Sequence, residues 1–310
     1  MKDIAVIIVH YNSGAMTSKC IDTLLKFTPQ QLSLQLIIVD NGSEKEDYLQ
    51  LKAYCDQHNY ADIQLIRSAI NTGFGMGNML GYQQVNAHYV AFVNSDTFFL
   101  NDCLGIFKKF LDNRPEVAVV GGQSFKENGA RTVAFDHFAS VTKELLGRRF
   151  LELINPKKYP NRKKEYPEPI AVNYVQGSFM FIRCADFNAV GGFDTNLFLY
   201  YEETDLCKRI EKSLGKSCWL VPEAHYVHHH GASTPSSILI KTELKISLLY
   251  IIRKHYGYLP YVFLLNYLRL NYSLSLLIKP KYGYLFKTLW AGAPLSRSMK
   301  TMQKINPLQE

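Results

Sequence analysis

A chain of 310 residues, 47% of them hydrophobic, carries enough apolar material for one large α/β core plus an appendage, which excludes a disordered protein. The formal charge of +8 is uneven: from Lys241 onward eleven basic residues stand against two acidic ones, while the preceding residues are close to neutral. That distribution argues against nucleic acid as a partner of the main body and directs the tail toward an anionic surface.

In chain order, the β-branched run over residues 4–9 predicts a strand buried on both faces, and helical spacing follows over 20–27. A second strand over 34–39 ends at Asp40-Asn41-Gly42-Ser43, and a helix is expected over 45–58. A third strand, 63–67, leads into Asn71-Thr72-Gly73-Phe74-Gly75-Met76-Gly77-Asn78, read as a Gly-rich loop with a helix after it. A fourth, 89–93, ends at Asn94-Ser95-Asp96. Alternating strands and helices predict an α/β fold with a mainly parallel twisted sheet, whose ligands bind beyond the carboxyl ends of the strands.

Residues 126–169 interrupt the pattern with four prolines and clustered lysines, predicting a mobile active-site loop or insertion, or else an exposed linker. A strand pattern resumes over 171–184, and 203–214 is helical with Gly215 as its stop. From residue 238 aromatic and aliphatic residues alternate with basic ones. Arg269, Asn266 and Asn271 make a spanning helix costly, so a helical extension over 238–310 is expected to lie on a membrane face, or else to pack as a subdomain or oligomer contact, beside a main domain over 1–237. Six scattered cysteines and a first apolar run too short for a signal peptide predict a cytoplasmic protein.

Several clusters carry chemistry. Asp96, just past a buried strand, suits a hard cation, Mg²⁺ or Mn²⁺, which takes oxygen ligands and keeps phosphate or water in its shell. Phe198-Leu199-Tyr200-Tyr201 precedes Glu202-Glu203-Thr204-Asp205, and a desolvated aromatic pocket raises a carboxyl pKa as a general base requires. Arg209, one helical turn after Asp205, marks Asp205 as structural and leaves Glu202 or Glu203 for an acceptor. In His228-His229-His230 alternate side chains of an extended chain face opposite ways, so His228 and His230 share a face as candidate metal ligands. The glycines at 73, 75 and 77 fail as a dinucleotide fingerprint, because Asn78 stands where the third glycine belongs and the segment follows the third strand, which disfavours a NAD-type oxidoreductase. What remains is a backbone with amides free for a phosphate or sugar.

Val9-His10-Tyr11-Asn12, Val39-Asp40-Asn41-Gly42-Ser43, Asn71-x-Gly73-Phe74-x-x-Gly77-Asn78, Asn94-Ser95-Asp96, Gly191-Gly192-Phe193-Asp194, Tyr201-Glu202-Glu203-x-Asp205-Leu206-Cys207 and His228 occur in order over residues 1–234. Together they resemble family 2 inverting glycosyltransferases with the GT-A fold, most of all their bacterial rhamnosyltransferase branch. The resemblance implies that Tyr11, Asn12 and Asp40 hold the nucleotide base and ribose. It sets Asn71, Gly73, Asn78, Asn94 and Ser95 along the nucleotide-sugar, Asp96 and His228 on a divalent metal, and Glu203, with Glu202 beside it, as the catalytic base. It implies a donor linked to dTDP or UDP, rhamnose first and galactofuranose or another hexose next. The implied acceptor is a polysaccharide or lipid-linked glycan at the inner face of the cell membrane. Three positions depart from the family pattern: Asn94 replaces the first aspartate of the Asp-x-Asp motif, Glu203 stands where many members have Asp, and Met79 replaces a frequent second asparagine. The competing expectation is a catalytically silent glycan-binding scaffold.

Overall fold

The computed structural model describes residues 1–57, 63–229 and 237–306. Its first half is β1 (Lys2–His10), α1 (Gly14–Phe27), β2 (Leu34–Asn41), α2 (Lys45–Gln57), β3 (Ile63–Ser68), α3 (Gly73–Tyr82) and β4 (Ala87–Asn94). β1 shows why the run is apolar throughout: Ile4, Val6 and Ile8 enter the core on one face of the sheet, while Ile7 enters the core on the other. Both faces are covered by helices, so neither can be polar. β3, β2, β1 and β4 are mutually parallel, and their carboxyl ends line one edge.

The second half continues with β5 (Thr97–Phe99), α4 (Cys103–Asp112), β6 (Val117–Phe125), β7 (Phe135–Asp136), α5 (Val141–Leu146) and α6 (Arg148–Ile154). β8 (Ile170–Val172), β9 (Tyr174–Val175), β10 (Phe179–Arg183), α7 (Cys184–Ala189), α8 (Glu202–Leu214) and β11 (Ser217–His228) follow. The sheet has the order β3-β2-β1-β4-β10-β6-β11-β5, with β8 also on β11. β10 runs antiparallel to β4 and β6, so the sheet is mixed in this half. The run expected as one strand over 171–184 is three short strands and the start of α7, because Asn173 and Gln176-Gly177-Ser178 break it.

The structure corrects two expectations. The glycine segment is not a loop before a helix: α3 begins at Gly73 itself. Its glycines serve packing, since a Cβ on Gly73 would run into the Phe198 carbonyl and one on Gly81 would lie 2.7 Å from Ile7. Nor is 126–169 a linker. It contains β7, α5 and α6, held by buried Asp136, which pairs with Arg148, Arg162 and Lys143 at 2.7, 3.1 and 3.2 Å. Burial alone would raise that carboxyl, but the Arg148 hydrogen bonds and the neighbouring cations hold it down to about 2.

The extension comprises α9 (Ile238–Tyr256), α10 (Tyr258–Ile278), α11 (Gly283–Trp290) and short 3₁₀ turns. α9 is a core element: Leu248, Leu249, Ile251 and Ile252 are buried in a cluster that includes Ala139 and Leu197 of the main body. Among the described residues no helix is long and apolar enough to cross a membrane. Lys254 and His255 of α9 reach Asp205 of α8 at 2.7 and 2.8 Å, joining the Arg209 pair at 2.8 Å. At the far end Asn306 returns to the first half, its Nδ2 donating to the Ser43 carbonyl at 2.9 Å and its carbonyl accepting from Arg67 at 3.2 Å.

Candidate active site

The site is built on the carboxyl ends of β1, β2 and β4 and on the start of α8. After β1 the chain turns at Asn12, whose φ of 48° is left-handed. Its N–H donates to Ser43 Oγ at 2.9 Å and its Oδ1 accepts from the Glu44 N–H at 2.8 Å, so Asn12 joins the loops after β1 and β2. Tyr11 beside it is half-buried. Asp40, expected on the nucleotide, lies fully buried beneath this loop pair, 3.2 Å from Arg67 Nη1. Nearby His10 bridges Thr17 and Asp47 at 2.8 and 2.6 Å.

At the start of α3 two of the amides expected to be free are in use. The Gly73 N–H donates to Asn71 Oδ1 at 2.9 Å and the Phe74 N–H to the Phe198 carbonyl at 3.0 Å. Asn71 Oδ1 also accepts from Asn41 at 3.1 Å. Asn78 is 1% exposed; its Nδ2 donates to the Phe74 carbonyl, and its Oδ1 meets no donor among the described residues. A buried acceptor left without a partner is costly. Met79, at the position of the family's second asparagine, belongs to the apolar cluster around Phe187 and Phe193.

β4 ends at Asn94, whose N–H donates to the Ser178 carbonyl at 3.0 Å, and Ser95 shares a hydroxyl contact of 3.0 Å with Ser13. Asp96 is nearly buried, and its Oδ1 lies 3.3 Å from His228 Nε2. Antiparallel pairing of β11 with β5, which registers His228 against Thr97, makes this meeting. The expected alternation is seen: His229 turns away, 2.9 Å from Glu127 and against the Phe98 ring. His230 lies outside the described residues. One carboxylate and one imidazole therefore converge, and among the described residues no group of three metal-ligating side chains forms. A two-donor set fits a hard cation that draws its remaining ligands from phosphate and water.

The acids of α8 follow a strained turn: Tyr200 and Tyr201 have φ of 73° and 72°, left-handed for two successive non-glycine residues. Glu202 is 1% exposed, and its Oε1 meets no donor among the described residues. Burial first, and the neighbouring Glu203 second, push its carboxyl well above the usual 4.5. Glu203 is half-buried, and its Oε1 accepts from the Gly177 N–H at 3.0 Å. Burial raises its carboxyl too, opposed by backbone hydrogen bonds that include Gly177 and reinforced by the Asp136 charge. Asp205 is the structural acid expected: burial works upward, but the His255 hydrogen bond and the Arg209 and Lys254 charges hold it down to about 2.

Sequence reasoning missed Gly177 and Ser178, which link the two halves of the site. Gly177 binds the Glu203 carboxylate, while the Ser178 carbonyl accepts from Asn94 and from Thr97 Oγ1. The signal was an isolated glycine inside a strand pattern, which marks a close backbone approach.

Residues 5–190 match Glycosyl transferase family 2, and the chain belongs to that family. It is a glycosyltransferase with the GT-A fold. Rhamnosyltransferase WbbL of Escherichia coli (strain K12) is 30% identical over 233 residues, 71% of this chain and 83% of that protein. The N-acetylglucosaminyl-diphospho-decaprenol L-rhamnosyltransferase of Mycobacterium tuberculosis (strain ATCC 25618 / H37Rv) is 41% identical over 71 residues, 22% of each chain. Among solved structures, GalNAc-T7 with UDP, GalNAc and Mn²⁺ superposes with a TM-score of 0.60 at 16% identity, covering 84% of this chain and 53% of that one.

Proposed function

We propose that the enzyme transfers a sugar, rhamnose before galactofuranose or another hexose, from a dTDP- or UDP-linked donor to a hydroxyl of a polysaccharide or lipid-linked glycan, with inversion. The observation that carries this reading is the pair of half-sites joined by Gly177-Ser178: Asp96 with His228 on one side, Glu203 on the other. Similarity to two rhamnosyltransferases favours the sugar, and the diphospho-decaprenol in one of their names favours a lipid-linked acceptor.

In this reading Tyr11 and Asn12 face the base and ribose, with Asp40 supporting them through Arg67. Asn71, Gly73, Asn94 and Ser95 border the diphosphate-sugar, and Asn78 backs them from inside α3. Asp96 and His228 would hold Mg²⁺ or Mn²⁺, which when bound neutralises charge on the departing diphosphate. Glu203 takes the proton of the acceptor hydroxyl as its oxygen attacks the anomeric carbon from the face opposite the diphosphate, so no covalent enzyme intermediate forms. A raised carboxyl makes Glu203 a stronger base once ionised, and the Gly177 N–H holds it in one orientation. The reading includes a cytoplasmic location, as the scattered thiols suggest.

A panel of dTDP- and UDP-linked sugars with a glycan acceptor, products weighed by mass spectrometry with and without chelator, tests it. Metal-dependent transfer of rhamnose is expected. Binding of a glycan without turnover of any donor would favour the silent scaffold, and full transfer in chelator would remove the metal from the reading.

A further inference from the structure

We propose that the outer face of α10, together with the adjoining end of α11, docks onto an anionic lipid surface. α10 is apolar on two opposite sides. Leu264, Leu265 and Leu268 are buried in the cluster shared with α9 and α11. On the other side Leu259, Phe263, Leu270, Leu274 and Ile278 are each more than half exposed, Leu259 and Ile278 at 80%. Their helical spacing keeps them in one stripe. At 1.5 Å per residue that stripe runs about 29 Å along the helix. Trp290, also exposed, extends it sideways: Arg269 of α10 donates to the Trp290 carbonyl at 2.9 Å and lies 5.3 Å from its ring. An apolar surface of this extent marks an interaction site.

The charge around the stripe selects the partner. Lys279, Lys281 and Lys287 stand exposed between and along α10 and α11, and the sequence has no acidic residue between Glu243 and Glu310. A second copy docking through the same face would set these cations against their own kind. A layer of anionic headgroups neutralises them while the stripe enters the acyl boundary. Tyr258 and Trp290 at the margins suit the headgroup level. With no helix among the described residues able to span, α10 lies along the surface. Its seat is fixed, because α10 packs on α9, and Lys254 and His255 of α9 grip Asp205 in the first turn of α8 beside Glu203. This inference stands on the surface alone and does not depend on the donor or the metal.

Sedimentation of the full chain with phosphatidylcholine vesicles, with and without phosphatidylglycerol, tests it at low and high salt. Binding to the anionic vesicles is expected, fading as salt rises. Lys279→Gln, Lys281→Gln and Lys287→Gln should each weaken it by about fivefold. The double variant Leu259→Glu/Phe263→Glu should abolish it, with an unchanged circular dichroism spectrum and melting temperature, because both side chains already stand in solvent. The proposal is overturned by absence of binding at low salt, or by a double variant that binds as well as the parent. It is equally overturned by light scattering that shows a dimer which the double variant dissolves, since the face would then belong to a second copy.

Discussion

The Gly177 N–H donates to Glu203 Oε1 at 3.0 Å, and a side chain at position 177 would occupy the space of that carboxylate. The glycine is there for approach, since its φ is not left-handed. Gly177→Ala should displace the carboxylate while leaving the loops after β1 and β2 alone. A misplacement of about 1 Å costs up to ~10²-fold in turnover. Steady-state kinetics should therefore show a lowered kcat with donor KM little changed, and a loss confined to KM would mean that Gly177 serves the donor instead.

Glu203→Gln keeps shape and the Gly177 hydrogen bond but cannot take a proton. Turnover should fall about 10²- to 10⁴-fold with donor affinity preserved. In the parent, kcat should rise with pH through a value above the ordinary 4.5, because burial raises this carboxyl. A pH profile of single-turnover rates checks both, and a profile unaltered in Glu203→Gln would pass the role to another group.

Glu202 gives a stability prediction with a definite sign. Its folded-state carboxyl lies well above the usual 4.5, so the native state binds a proton that the unfolded chain releases. Its contribution is fully present below 4.5 and is lost as pH rises toward the folded value. Glu202→Gln should remove that loss, so the variant should gain on the parent in melting temperature as pH rises from 4.5 to neutral. Parallel melting curves for the two proteins would contradict the burial of this acid.

Asp96→Ala and His228→Ala should each raise the Mn²⁺ concentration needed for activity. They should also reduce the shift in melting temperature that Mn²⁺ produces together with a nucleoside diphosphate, a readout independent of turnover. An undiminished thermal shift in both variants would show that the cation is held elsewhere.

Asp205 makes the extension part of the main body. Asp205→Asn removes the anion shared by Lys254, His255 and Arg209, and because Lys254 keeps Asp194 and Arg209 keeps two carbonyls the cost should lie at or below the lower end of a broken buried pair, about 3 kcal/mol. Its depressed carboxyl contributes stability above 3.8 that is lost as pH falls through about 2. Removal of residues 238–310 should be worse, exposing Leu197 and Ala139 and yielding aggregated protein in size-exclusion chromatography. A soluble, donor-binding truncation would return the extension to the status of a detachable domain.

Legibility in the sequence followed the range of the interactions. β1, β2 and β4 could be read because each is a short apolar run that enters two cores at once, and their carboxyl ends located Asp40 and Asp96. The Arg209 pairing could be read because it lies one turn away on the same helix. α3 could not, since glycine is a poor helix former and only the approach of Phe198, Val9 and Ile7 makes small residues necessary there. The partners Arg67 for Asp40, Gly177 for Glu203 and Lys254 for Asp205 come from segments remote in sequence, and no local pattern pairs them. Alternation along β11 did assign His228 and His229 to opposite sides, but only the register with β5 brings His228 to Asp96.

The return of Asn306 to Arg67 and Ser43 closes the polypeptide into a loop beside the turns that follow β1 and β2. One guanidinium thus answers both to Asp40 in the first half and to the last described stretch of the chain. Chimeras that exchange the first half between relatives would bring a foreign partner to this junction. A graft that leaves the original tail in place should misplace Arg67 and with it Ser43, which accepts from both Arg67 and Asn12. The first half of this chain is therefore a piece to be exchanged together with its far end.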